Sequence, residues 1–159
     1  MAWTVFIDGK EGTTGLRIFD RLAERGEFSL LTLPEEKRKD ADARREAIHA
    51  ADIAILCLPD AAARESVALA EGSNTRILDT STAHRVAPGW AYGFPELSKK
   101  HRDAVVSGQY VAVPGCHASG FIALVYPLIS AGLLAPDVLL SCYSLTGYSG
   151  GGKKMIAEY

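Results

Sequence analysis

The chain is poor in cysteine, with three in 159 residues. An odd number at irregular spacing speaks against a disulfide framework and for reduced thiols. No sign of charge dominates: 17 Lys and Arg stand against 19 Asp and Glu, a formal net charge of −2. That balance gives no reason to expect nucleic acid as a partner. The basic residues of EEKRKD (35–40) and the pair RR (44–45) are diluted by acids. Long hydrophobic runs are missing too. The longest, FIALVYPLISAGLLAP, is interrupted by Pro127 and Ser130 and is too short to span a bilayer. The start, MAWTVFIDGK, lacks the basic head and apolar middle of a signal peptide, so the expected location is the cytoplasm. Repeats and low-complexity segments are absent.

What is there reads as a soluble globular protein, with 48% hydrophobic and 23% charged residues. Short apolar runs alternate with helical patterns. WTVFID (3–8) is a buried strand stopping at glycine. From Gly15 to Arg25, Leu16, Phe19, Leu22 and Ala23 share one helical face. FSLLTLP (28–34) is a second strand, DADARREAIHAA a helix, and DIAILCLP (52–59) a nearly continuous apolar strand. Asp60 is placed to cap the helix AAARESVALAEG, which Gly72 ends, and RILDTS (76–81) makes a fourth strand. This βαβαβαβ order predicts an α/β fold with an open parallel sheet. After residue 82 the composition shifts to Pro, Gly and aromatics, a structured connecting loop. YVAVPG closes the first domain, Cys116 opens a helix running to about Gly132 with Pro127 near a kink, and DVLLSCYSLTG (137–147) is a further strand. The final SGGGKKMIAEY opens a helix that nothing closes, which suggests a fragment of a longer protein.

Gly9, Gly12 and Gly15 fall between the first strand and the first helix in G-x-x-G-x-x-G spacing. Glycine there permits the tight turn and lets backbone N–H groups approach a pyrophosphate. Thr13 and Thr14 add hydroxyls that can donate to phosphate. A turn with three glycines and no ligand is the plainer alternative. Beyond the second strand, Glu35 would read a ribose 2′-hydroxyl and indicate NAD, whereas Lys37 and Arg38 would hold a 2′-phosphate and indicate NADP. NADP is the preferred reading. GYSGGGKK (147–154) fits G-x-x-x-x-G-K, but Lys154 stands where a P-loop needs Ser or Thr for magnesium. No metal site is expected.

VAVPGCHASGF (111–121) sets Cys116 on the first turn of a helix. The free N–H groups and the dipole at such a place favour a thiolate. A small buried residue behind a Pro-Gly turn satisfies the local pattern equally well. Cys57 lies within an apolar strand and, like Cys142, reads as a core thiol. His117 adjoins Cys116, but neighbouring helix residues point about 100° apart, so it is a first-turn polar group and not a general base. His84 bonds within its loop on this reading, while His49 and His101 are surface residues.

DGKEGTTGLRI, CLPD, DTSTAHR, YGFPEL, VPGCHASG and TGYSGGGKKM occur in one order along nearly the whole chain. As a set they resemble N-acetyl-γ-glutamyl-phosphate reductase of the shorter, type 2 kind, an arginine-biosynthesis family related to aspartate-semialdehyde dehydrogenase. The resemblance implies a Rossmann domain over 1–115, followed over 116–159 by the first part of an α/β catalytic domain with a mixed sheet. It implies Cys116 as a nucleophile that attacks an acyl phosphate and forms a thioester, which NADPH reduces to the semialdehyde. It also implies that Leu58 and Pro59 lie along the nucleotide, that Ser149, Gly150 and Gly151 approach the nicotinamide side, that Ser81 meets the cofactor and that Arg85 meets the substrate phosphate. Family members are about twice this length and assemble as homo-oligomers, and their acid–base histidine lies outside these residues. Two alternatives stay open: an inactive NADP-binding module, and a related semialdehyde dehydrogenase using another acyl phosphate, such as aspartyl phosphate.

Overall fold

The computed structural model describes residues 2–9, 13–147, 150 and 156–158. Its elements run β1 (Trp3–Asp8), α1 (Thr13–Ala23), β2 (Phe28–Leu31), a 3₁₀ turn (Glu35–Lys37), α2 (Ala41–Ala50) and β3 (Ile53–Leu56). They continue with α3 (Asp60–Leu69), β4 (Arg76–Asp79), β5 (Ala91–Tyr92), α4 (Lys99–Ser107), β6 (Tyr110–Ala112) and α5 (Cys116–Ser130). The strands form one sheet in the order β2-β1-β3-β4-β6-β5, with every pair parallel. The predicted parallel α/β fold is what forms.

Alternation along β1 divides the core between the two faces of the sheet. Val5 and Ile7 join Ile55 on one face, covered by Ile18, Phe19 and Leu22 of α1. Phe6 joins Ala54, Leu56 and Ile77 on the other, covered by Ala47 and Ile48 of α2 and Leu69 of α3. Phe6, Ile48, Leu56 and Ile77 are at most 2% exposed, and burying a side chain of this size contributes roughly 1.5–3 kcal/mol. The Thr75 hydroxyl donates to Ile48 O at 2.7 Å and stitches β4 to the end of α2. Asp40 caps α2, its carboxylate accepting the Ala43 N–H at 2.8 Å.

Three sequence expectations are corrected. The connecting region after residue 82 contains β5 and α4, the latter capped by Ser98, whose hydroxyl accepts the His101 N–H at 3.3 Å. The strand expected over 137–147 does not form. A strand needs a neighbour for its N–H and C=O groups, and residues 140–147 lie instead along α5, lining a cavity with it. Asp60 does not cap α3; the residue preceding the helix is Pro59, and the Asp60 carboxylate turns to Thr82. Helix α5 starts at Cys116, as expected, and runs through Pro127.

Candidate active site

The carboxyl ends of four strands stand in one row. Asp8 pairs with Leu56, Leu56 with Asp79, and Asp79 with Ala112. The row continues one residue further: the Cys57 N–H donates to Asp8 O at 2.8 Å, Thr80 N–H to Leu56 O at 3.0 Å, and Val113 N–H to Asp79 O at 2.8 Å. From β1 the chain passes outward to β2, then returns to β3 on the opposite side. The order therefore reverses between β1 and β3, where open α/β sheets form their crevice.

Gly9 occupies that point with φ of +84°. A Cβ there would lie 2.3 Å from Cys57 O and 2.9 Å from Leu58 Cδ2, so both backbone conformation and space require glycine. Thr13 and Thr14 open α1, and Gly15 is buried in its first turn. Gly12, Ser149 and Gly151 lie outside the described residues. Beside Gly9 opens a cleft of about 640 Å³, lined by Asp8, Leu33, Glu35, Arg38, Lys39 and Leu58 among others. Glu35 and Arg38 form an ion pair across the 3₁₀ turn. Lys37 is not among the lining residues; Lys39 takes the place expected for it. Pro59 follows Leu58 immediately and precedes α3.

A buried cluster, unforeseen from the sequence, fixes the floor of this cleft. Asp8 Oδ2 accepts from Arg44 Nε at 3.2 Å, from Arg44 Nη2 at 3.1 Å and from the Ser66 hydroxyl at 2.8 Å. Arg44 and Ser66 belong to α2 and α3, so one carboxylate joins both helices to the end of β1. Burial pushes the Cys57 thiol up to about 11, a hydrogen bond with Thr80 opposing and the Asp8 and Asp79 carboxylates adding. Cys57, one residue past the end of β3, is thus a thiol at neutral pH, whereas Cys142, expected in the core, is exposed because the segment that carries it pairs with no strand.

Beyond β6 the chain crosses Pro114 and Gly115 to Cys116, which is exposed at the head of α5. The first intrahelical bond there runs from the Ser119 N–H to Gly115 O at 2.8 Å. The N–H groups of residues 116–118 therefore precede the helical ladder, as at any helix start. A cavity of about 690 Å³ brings together Cys116, His117, Phe121, Cys142, Ser144 and Gly150, among others. His117 Nδ1 pairs with the Ser144 hydroxyl. Strands sit ~4.8 Å apart, so the three spacings from β1 to β6 separate the glycine turn from the thiol's strand by about 14 Å.

Arg85 lies at this end as well. Its Nε donates to Val113 O at 3.1 Å and its Nη2 to Thr80 O at 3.1 Å. A Cβ on Gly115 would stand 2.8 Å from Arg85 Nη1, which places the guanidinium against the residue before Cys116. Ser81 is 7% exposed; its hydroxyl donates to Asp79 Oδ2 at 2.7 Å and accepts the Ala83 N–H at 3.1 Å. Among the described residues no helix is long and apolar enough to cross a membrane.

A parallel sheet with a glycine turn at its switch point and a cleft over the first two strands defines a Rossmann-type dinucleotide-binding domain. The profile described as "Semialdehyde dehydrogenase, NAD binding domain" matches residues 4–105, and the chain belongs to that family. N-acetyl-gamma-glutamyl-phosphate reductases resemble it over its length: that of Chelativorans sp. (strain BNC1) is 55% identical across 100% of this chain. The Brucella anthropi protein of the same name is 56% identical across 97%. The chain spans about half the length of these curated relatives, 51% and 50%. Among solved structures, aspartate semialdehyde dehydrogenase from Francisella tularensis superposes with a TM-score of 0.65 at 19% identity, over 99% of this chain and 48% of its own. The Candida albicans enzyme with NADP gives 0.62 at 15%, over 82% and 48%. At such identities the likeness is one of fold.

Proposed function

We propose that this chain is the dinucleotide-binding and thiol-bearing part of an N-acetyl-γ-glutamyl-phosphate reductase, with residues 1–115 as the Rossmann domain and 116–159 as the first part of the catalytic domain. The observation that carries the reading is the shared row of strand ends, with the Gly9 turn at one side and Cys116 at the other. The homologues' names supply the substrate, N-acetylglutamyl 5-phosphate.

The dinucleotide fits the residues present. Gly9 leaves room that any Cβ would fill; Gly12, Thr13, Thr14 and Gly15 would hold the pyrophosphate, and Leu58 and Pro59 would take the nucleotide beside them. Arg38 and Lys39 in the cleft suit a 2′-phosphate and favour NADP, with Lys37 beside them on the turn. When bound, the cofactor supplies the hydride. Ser149, Gly150 and Gly151 would serve its nicotinamide side. Ser81, whose hydroxyl is engaged by Asp79, acts there through the fold of its turn.

Cys116 Sγ attacks the acyl carbonyl carbon. A C–S bond forms, the bond from the acyl carbon to the bridging oxygen breaks, and phosphate departs with that oxygen and the electron pair. Backbone N–H groups at the head of α5 face the charge that develops on the carbonyl oxygen. Arg85, held against Gly115, receives the phosphate. Cys116 holds the acyl group as a thioester open to that hydride, and its sulfur leaves as the thiolate when the semialdehyde forms. The protein works in the cytoplasm, on a small-molecule substrate, as a homo-oligomer.

The test is single-turnover acylation of the natural full-length protein with N-acetylglutamyl phosphate, read by intact mass. One N-acetylglutamyl adduct on the wild type, absent from Cys116→Ala, is expected. No adduct on the wild-type protein overturns the thioester reading and leaves a dinucleotide-binding module.

A further inference from the structure

The turn after β4 rests on a buried carboxylate. Asp79 ends the strand with 0% exposure, and a charge in that place requires partners. Its Oδ1 accepts the Ser81 N–H at 2.9 Å and its Oδ2 accepts the Ser81 hydroxyl at 2.7 Å. Oδ2 also lies 2.6 Å from Nδ1 of His84, itself 7% exposed. A carboxylate only accepts, so Nδ1 carries the proton in this contact. The flat side of the imidazole stacks on Trp90, with ring centroids 4.2 Å apart and planes 10° from parallel. Trp90 in turn packs against the core cluster that contains Phe6 and Ile77. His84 is thus fixed both in its plane and along the normal to it, and the next residue is Arg85.

Arg85 bridges the ends of β4 and β6 through Thr80 O and Val113 O, and its Nη1 faces Gly115, the residue before Cys116. Both carbonyl bonds fix the guanidinium's plane. The path of the turn that delivers it is held by the Asp79–Ser81–His84 cluster on the buried side, and by the Thr82 bonds to Asp60 and the Arg64 bond to Ala83 O on the other. Asp79 therefore reaches the thiol's helix through three successive contacts: to His84, along the chain to Arg85, and across to Gly115.

We infer that Asp79 and His84 are positioning residues for Arg85, holding its guanidinium at the head of α5 so that Nη1 meets the phosphate of the acyl phosphate beside Cys116. The inference rests on the reading of Arg85 as a phosphate ligand, and its test separates the two. Three variants of the natural full-length protein divide the cluster. His84→Asn keeps an N–H donor toward Asp79 and loses the ring, His84→Phe keeps the stacking and loses the donor, and Gly115→Ala presses on Nη1 from the opposite side. Two quantities are measured: KM and kcat for N-acetylglutamyl phosphate, and the inorganic phosphate concentration that half-protects Cys116 from iodoacetamide.

His84→Phe and Gly115→Ala should each raise the acyl-phosphate KM and the half-protecting phosphate concentration by about tenfold, the size of one charge-assisted hydrogen bond. The KM for NADPH, which reaches this turn only at Ser81, should move less than the acyl-phosphate KM. His84→Asn should recover most of the loss. A merely structural histidine would lower thermal stability and leave phosphate protection at the wild-type value, and that result in a folded His84→Phe overturns the inference. Should His84→Phe fail to fold, Trp90→Leu, which removes the stacking partner of the His84 ring and keeps its bond to Asp79, takes its place, and wild-type phosphate protection there overturns the inference. Phosphate that protects no better in the wild type than chloride also overturns it, because Arg85 is then no phosphate ligand. Failure of the thioester reading looks different: no acyl adduct forms on any variant, while phosphate protection still ranks them.

Discussion

Gly9 and Cys57 meet where the sheet reverses its strand order: a Cβ on Gly9 would fall 2.3 Å from Cys57 O. The closeness arises because the Cys57 N–H donates to Asp8 O at 2.8 Å, which draws the end of β3 under the turn. The turn then leaves β1 with φ of +84°, and no side chain at Gly9 has room on either count.

Gly9→Ala should therefore cost about 2–5 kcal/mol, combining a left-handed backbone with overpacking against a carbonyl. Urea unfolding measures the stability, and NADP titration should show affinity falling together with it. A variant with wild-type stability and wild-type NADP binding would mean that the turn relaxes freely and that its glycine is not a structural requirement.

The three thiols should separate by reactivity. Cys116 and Cys142 are exposed, while burial raises Cys57 to about 11. At neutral pH only about one part in ten thousand of Cys57 is thiolate. Iodoacetamide followed by peptide mass mapping should label Cys116 and Cys142 in native protein and leave Cys57 untouched until denaturant is added. Early labelling at Cys57 would contradict its burial under the Gly9 turn.

How far the sequence reached follows from which interactions are local. Strand runs, the glycine turn and the opening of α5 at Cys116 are local patterns, so β1, β3, β4 and α5 were legible. The strand expected over 137–147 is a local pattern too, but a strand exists only with a neighbour, and that is not a property of the segment. Asp8, Arg44 and Ser66 lie far apart in the chain and carry no motif; only the rule that a buried charge needs partners connects them, once burial is known. Lys37 against Lys39 turns on rotation about one 3₁₀ turn, which charge composition cannot give. Asp60 holds a position that fits a cap, yet Thr82, supplied by the DTSTAHR turn, competes for its carboxylate and wins.

That competition has a pH signature. The Thr82 hydroxyl donates to Asp60 at 2.6 Å and the Thr82 N–H at 3.0 Å. The hydroxyl bond is the largest influence holding Asp60 below its ordinary value of 3.8; burial opposes it, and the N–H, Arg64 and Arg85 add to it. With the folded value below the unfolded one, the stabilisation is complete above the ordinary carboxylate range and is lost as pH falls through the folded value. Thr82→Val should thus be less stable than wild type at neutral pH, and the gap should close in acid. Thermal melts across that range check it; a gap that stays constant into acid would remove Asp60 from the explanation.

Cofactor choice should turn on which cation faces the cleft. Arg38 and Lys39 line it beside Glu35, and Lys37 does not, although composition alone treats the three cations of EEKRKD as equals. A 2′-phosphate placed over the 3₁₀ turn brings nearly two negative charges to whichever side chains face inward. Lys39→Gln should weaken NADP binding by about tenfold, the value of one hydrogen bond to a charged group, and leave NAD binding as it is. Lys37→Gln, which removes the same charge two residues away, should change neither beyond a screened surface effect that added salt abolishes. Isothermal titration with both dinucleotides at two salt concentrations distinguishes these outcomes. Equal losses for the two variants would mean that net charge near the cleft, and not the face of the turn, reads the phosphate. An unchanged NADP affinity in Lys39→Gln would return the choice to Glu35 and favour NAD.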